Sequence, residues 1–250
     1  MRHLRSAWRH LGGQPISWTR RFARLLSRRF HKDHRFFHKF PPIPYRVVLD
    51  IGAHRGEFTR RILRYYSPVA VHLVEADPEL AEALRRDFAA VTGCRVIHAA
   101  VTDLTRPVEL RLNEHRASSS LLPIHPAAGD LFGRSLREEK SITVPGLALD
   151  DLFRQSNLRQ VDLMKIDIQG GERALMQGGT EALSRTRVIY LEVLFREQYQ
   201  EAALFDELHG LLERAGFRLQ FFDDLRRGQN GDLLYCNACY FRHPTEGVSQ

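Results

Sequence analysis

Asp50, Gly52 and Gly56 stand in the run DIGAHRG, a D-x-G-x-x-x-G spacing between the apolar stretch VVLD (47–50) and a segment of helical periodicity. Glycines at a strand-to-helix turn let a ligand come close to the backbone. Glu75 closes the next apolar run 19 residues after Gly56, where a carboxylate can bind ribose hydroxyls. Two nucleotide-bearing ligands compete for this pattern. A dinucleotide asks for G-x-G-x-x-G and brings a pyrophosphate, which a carboxylate at Asp50 would repel. S-adenosylmethionine has no phosphate and carries an ammonium, a sulfonium and a ribose diol, so carboxylates at Asp50 and Glu75 suit it electrostatically. The structural alternative is that Asp50 caps the following helix and Glu75 is a solvated strand end.

A second group of reactive side chains falls later in the chain. Lys165 and Asp167 end the apolar run 161–167 on one face of a strand, and Glu192 lies near the end of 187–194. Ligands of open parallel sheets bind beyond such strand ends. A transfer to a hydroxyl needs an aligned nucleophile and gains from a general base. Asp167, Glu172 and His115 are the candidates for that base, with Lys165 beside them. Each also has a plain role: Lys165 can pair with Asp167, Glu172 can favour a helix N-terminus, and His115 can be a solvated loop residue. Ser118–Ser120 can meet a polar substrate or simply make a turn. Cys236 and Cys239 form a C-x-x-C, but residues three apart on a strand point to opposite faces and no second ligand pair follows, so core packing is expected and no structural metal. Scattered carboxylates can hold a catalytic divalent ion without leaving a motif, so the need for one stays open.

The elements that must position these residues alternate. VVLD is a strand; 57–66 is a helix with Phe58, Ile62 and Tyr65 inward; 69–74 is a strand; Asp77-Pro78 starts a helix through Phe88; 94–101 is a third strand. The rhythm then breaks at 105–147, where VELRLNEH alternates, SSSLLPIHPAAGDLFG is loop-like and SITVPGLAL reads as a strand or edge hairpin. This insertion is expected to lie over the site. The βα pattern resumes with strand 161–167, a helix near 171–185, strand 187–194 and a helix near 200–214, and FRLQFF and LLYCNACYF close the chain. The prediction is an α/β fold with a doubly wound, mostly parallel sheet and an antiparallel C-terminal strand.

The 250 residues carry a net +7, unevenly placed. Residues 1–40 hold 11 Lys and Arg against one acidic residue, a net +10, and the remainder holds 26 against 29, a net −3. From Trp18, the residues Phe22, Leu25, Leu26 and Phe30 recur at helical spacing among arginines, which fits an amphipathic helix on an anionic membrane surface. The same tail can be a mobile extension, and nucleic acid is the weaker partner because the body is acidic. PPIPY at 41–45 marks the expected boundary between a basic extension, 1–40, and a folded domain, 41–250. Three cysteines make no even disulfide framework and point to a reducing, cytoplasmic setting, with contact at the membrane periphery through the tail.

VVLDIGAHRGEFT, VHLVEADPE, VIHAAVTD, ASSSL and LMKIDIQGGERALMQGG followed by VIYLEV resemble, in order and interval, the FkbM-type methyltransferases over roughly residues 45–242. The resemblance implies a class I, Rossmann-like fold and S-adenosylmethionine-dependent methyl transfer, usually to oxygen of natural products, sugars or glycan-linked groups. It places Asp50, Gly52 and Gly56 at the methionine end, Glu75 at the ribose, and Asp103 or the backbone of Ala100–Thr102 near adenine. Many relatives have Glu where this chain has Gln169, which can hydrogen-bond but cannot act as a base. The reading is therefore an O-methyltransferase acting on a small-molecule or saccharide hydroxyl. The alternative from another class is a non-catalytic Rossmann-like scaffold docked to membrane or partner by its tail.

Overall fold

The computed structural model describes residues 35–132 and 137–242. The amphipathic helix expected from Trp18 lies outside the described residues. Contacts divide the chain between Lys39 and Phe40, and every element below belongs to the second unit.

Its elements run β1 (Val47–Ile51), α1 (Glu57–Tyr65), β2 (Ala70–Glu75), α2 (Pro78–Phe88), β3 (Cys94–His98), β4 (Ala100–Thr102) and β5 (Pro107–Asn113). They continue with α3 (Ala128–Phe132), β6 (Glu138–Ala148), α4 (Leu149–Gln155), β7 (Val161–Ile166), α5 (Glu172–Gln177), α6 (Thr180–Ser184), β8 (Thr186–Leu194), α7 (Phe205–Arg214), β9 (Arg218–Arg227) and β10 (Leu233–Phe241). A short 3-10 turn, Arg116–Ser118, interrupts the insertion. Seven strands form one sheet in the order β3-β2-β1-β7-β8-β10-β9. β1, β2, β3, β7 and β8 pair in parallel, while β10 runs antiparallel to both β8 and β9. The antiparallel C-terminal strand of the sequence reading is β10.

Strands packed on both faces must be apolar throughout, and Leu49, Ile51, Val74, Met164, Ile166, Ile189 and Leu191 are all at most 1% exposed. Successive strands step outward from β1 to β2 and β3, and the order then reverses through β7, so the crevice at the ends of β1, β2 and β7 is the switch point where ligands bind. Asp162, on β7, helps hold β1 in register by accepting the backbone amides of Arg46 and Val47 at 2.9 and 3.0 Å.

Four expected elements differ. The strand expected at 94–101 breaks at Ala99: β3 stays beside β2, while β4 leaves to pair in parallel with β6 in a second, three-stranded sheet, β4-β6-β5. The helix expected at 171–185 is two short ones. α4, which the sequence reading did not include, inserts its Asp150 at the break, where its backbone amide donates to the Gly178 carbonyl and its carboxylate accepts the Ala182 amide at 2.7 Å. The helix expected from residue 200 begins at Phe205, because Gln200 is held by the Pro123 carbonyl instead. β9 extends to Arg227, beyond FRLQFF, by pairing along β10.

Candidate functional site

At the switch point lies a cavity of about 320 Å³, within the range of small-molecule sites. β2 and its following turn supply Val74–Asp77, the bend before β4 supplies Ala99–Val101, and the insertion supplies Leu110, Arg116, Ala117 and Ser119–Leu121. The other side takes Phe58 and Arg61 from α1, Lys165 from β7, Asp167–Gln169 from its following loop, Tyr190 from β8 and Asn237 from β10. The insertion does cover the site.

Gly52 lines the cavity, and its backbone takes φ +71. A Cβ built there would sit 1.8 Å from the Asp167 carbonyl oxygen, so the close approach is between β1 and the β7 loop rather than to a ligand. Gly52→Ala is expected to destabilise by about 3 kcal/mol or more, combining left-handed strain with a displaced backbone; chemical unfolding of the variant measures it. Gly56 also has a left-handed backbone, begins α1 without a side-chain cap, and would meet the Phe88 ring at 2.7 Å. It packs α1 on α2 and does not line the cavity.

Asp50 is fully buried beneath this lining. It does not cap α1. Its Oδ2 accepts from the Thr59 hydroxyl at 2.7 Å, and its Oδ1 has no hydrogen bond, facing the Lys165 ammonium at an ion-pair distance of 3.4 Å. The same ammonium donates to the Gly52 carbonyl at 2.6 Å and lies 3.6 Å from Asp167 Oδ2. Burial alone pulls the lysine pKa down, but Asp167 and Asp50 outweigh it and the net shift is upward, so Lys165 stays a cation. A buried charge of each sign thus ties the ends of β1 and β7 together.

Glu75 lines the opposite side. Its Oε2 accepts the His54 amide at 2.7 Å and its Oε1 the Asp77 amide at 2.9 Å. Burial raises its pKa, and these two amides act against that. With one amide on each oxygen, the remaining lone pairs can accept two further hydroxyls. Asp77 caps α2, accepting the Glu79 and Leu80 amides at 2.9 and 3.4 Å, and Pro78 fills the first turn. Arg116 of the insertion donates to the same Asp77 carboxylate at 2.9 Å. Asp103 lies outside the lining, with its carboxylate held below the usual range chiefly by the Thr102 hydroxyl.

Around the β7 loop the carboxylates converge. Gln169 Nε2 donates to Asp167 Oδ1 at 2.7 Å and to Glu192 Oε2 at 2.9 Å. Burial, then Asp167 and Glu172, push the Glu192 pKa well up. Glu172 does not line the cavity; its carboxylate accepts the Ile168 amide at 3.2 Å, and burial pushes its pKa up to about 7. Between its ordinary 4.5 and 7 the unfolded chain ionises before the folded one, so this residue withdraws stability as pH rises through that window. Glu172→Gln is expected to remove about 3 kcal/mol of that pH-dependent loss. Unfolding at pH 5 and pH 8 should then give a smaller difference in the variant than in the wild type.

His115 is exposed, lies outside the cavity, and contributes its carbonyl to the Ser118 hydroxyl. The three serines bond protein backbone: Ser118 to His115, Ser119 accepting the Asn113 amide, and Ser120 donating to the Gln169 carbonyl at 2.6 Å. The first two bonds shape the insertion itself, and that of Ser120 ties it to the β7 loop. Cys236 and Cys239 are both fully buried in β10, and burial raises both thiols. Tyr199, Arg116 and Asn237 were not singled out from the sequence. No local motif marks them, since each reaches the site through a distant loop or strand pairing.

The model of the methyltransferase FkbM domain matches residues 50–219. A 2-O-methyltransferase, NoeI, of Sinorhizobium fredii is 28% identical, with 78% of this chain and 81% of that protein covered. The crystal structure of methyltransferase FkbM from Methylobacillus flagellatus KT superposes with a TM-score of 0.51 at 15% identity, covering 78% of this chain; this chain spans 43% of that one. With its domain model covering more than half of the sequence, the chain belongs to the FkbM methyltransferase family.

Proposed function

We propose that the chain transfers a methyl group from S-adenosylmethionine to a hydroxyl oxygen of a saccharide or similar polyhydroxylated small molecule. The observation that carries this reading is one cavity with two chemically different sides meeting at Gly52. The β2 side offers Glu75 to a ribose diol and the apolar Ala99–Val101, Leu110 and Leu121 to a purine. The β7 side offers Asp167 and Lys165, walled by the stacked rings of Phe58 and Tyr190, 5.9 Å apart, with Asn237 beside them. Aromatic faces and amide groups suit a sugar ring. The relative's name, a 2-O-methyltransferase, supports oxygen as the acceptor atom.

When bound, the cofactor supplies an electrophilic methyl whose C–S electron pair leaves with sulfur. Asp167 takes the acceptor's hydroxyl proton as the new C–O bond forms. Lys165 holds the Asp167 carboxylate in place and is itself held by Asp50 and the Gly52 carbonyl. Glu75 holds the ribose, and Gly52 keeps the two sides in contact. The test is incubation of the full chain with S-adenosylmethionine and a panel of free and glycan-linked sugars, read by mass spectrometry. A singly methylated hydroxyl product is expected, and methylation confined to nitrogen or carbon acceptors would overturn the reading. The net +10 of residues 1–40 supports a further contact of this segment with an anionic membrane surface, which co-sedimentation with anionic vesicles tests.

A further inference from the structure

Gln169 takes a left-handed backbone, φ 56, in the loop after β7, a conformation uncommon for a residue other than glycine. Three separate elements hold it there. Ser120 of the insertion donates to its carbonyl at 2.6 Å. The Tyr199 hydroxyl lies 2.7 Å from its Oε1, and that hydroxyl in turn receives the Gln198 amide at 2.8 Å and sits 2.9 Å from the Ser118 carbonyl. Its Nε2 has one proton for each of two carboxylates, Asp167 on the β7 loop and Glu192 on β8.

A carboxamide has two ends of opposite character, and the reversed orientation would turn its oxygen onto both carboxylates. The Tyr199 hydroxyl has a single proton and two acceptors beside it, the Ser118 carbonyl and Gln169 Oε1, so the orientation in which the amide donates is set by Asp167 and Glu192. Glu192 is half-buried on the paired strand β8, which fixes its end of the bridge, while the Asp167 side chain is 38% exposed and lines the cavity. The other groups around the pair are Lys165 on β7, Glu172 on α5, Asp50 on β1 and the Cys236 thiol on β10. Among these groups Lys165 is the one cation.

We propose that Gln169 is a positioning residue: its carboxamide, seated against the Tyr199 hydroxyl and anchored on Glu192, holds the Asp167 carboxylate aimed into the cavity to receive the acceptor's proton. The inference rests on the reading of Asp167 as the base. A glutamate at position 169 would bring a third carboxylate to this pair in place of the donor. Donating to Asp167 and Glu192 at once takes two protons on one group, which an amide has and a carboxyl does not.

The side-chain amide signal of Gln169 in the ¹⁵N-labelled full chain tests this directly. Asp167→Asn should shift one Nε2 proton and Glu192→Gln the other, and Tyr199→Phe should speed exchange of both with solvent about fivefold, since one neutral hydrogen bond is worth about that factor. In methyl transfer, Gln169→Asn, which tolerates the left-handed backbone but is one methylene too short, should lower kcat about tenfold with little change in the acceptor KM. Amide protons that ignore both carboxylate substitutions, or a Gln169→Asn loss confined to KM, would overturn the proposal. The two readings fail separately. Full turnover by Asp167→Asn would sink the base assignment, whereas freely exchanging amide protons in a chain that Asp167→Asn inactivates would sink the bridge alone.

Discussion

Asp167→Asn is expected to lower kcat for methyl transfer by roughly 10²- to 10⁴-fold, the range for removal of a positioned general base. The substitution keeps the shape and leaves an oxygen to accept the Gln169 amide, which now contacts Asp167 at 2.7 Å. What it removes is the charge that can hold a proton, together with one partner of Lys165 at 3.6 Å. Because Lys165 keeps Asp50 and the Gly52 carbonyl, the β1–β7 junction should survive. Steady-state kinetics should therefore place the loss in kcat rather than in the acceptor KM. A variant with unchanged kcat would leave alignment alone to account for the reaction.

Glu75→Ala is expected to weaken S-adenosylmethionine binding by about 100-fold or more, since hydrogen bonds to an ionised group contribute about 1.5 to 3 kcal/mol each and two ribose hydroxyls lose their acceptor. The His54 and Asp77 amides, now held at 2.7 and 2.9 Å, lose theirs as well. Glu75→Gln separates these effects: its carbonyl can serve one amide, while its NH₂ faces another donor. Calorimetry on both variants should give losses in the order Ala, then Gln, then wild type. Undiminished binding by a folded Glu75→Ala chain would move the ribose elsewhere in the cavity.

Much of the fold was legible because it follows local rules. Continuous apolar runs named the buried strands of the parallel sheet, and Asp77-Pro78 marked the start of α2. The strand order brought Glu75, Gly52, Lys165 and Asp167 to one cavity, as their positions at strand ends required. The rest depended on partners distant in sequence. Nothing in CRVIHAAV reveals that the chain changes sheets at Ala99, because the second strand it joins, β6, begins 39 residues later. The split between α5 and α6 comes from Asp150 docking at the break.

The site shows the same division. Residue type identified carboxylates that suit a cationic cofactor, but not their depth: Asp50 acts from beneath, through Lys165, and Glu172 is buried behind the loop. Glycine spacing signalled the turn correctly, yet the bodies that need the space are the Asp167 carbonyl and the Phe88 ring. Gln169 looked like a lost carboxylate. In place it is the donor between two others.

The central claim is that this cavity binds S-adenosylmethionine, and calorimetric titration of the full chain with S-adenosylmethionine and S-adenosylhomocysteine tests it most directly. Binding of both in the micromolar range, with one site per chain, is the expected result. Absence of binding by a chain shown to be folded would contradict the account, since Glu75, Lys165 and Asp167 would then face one another without the ligand that explains their convergence.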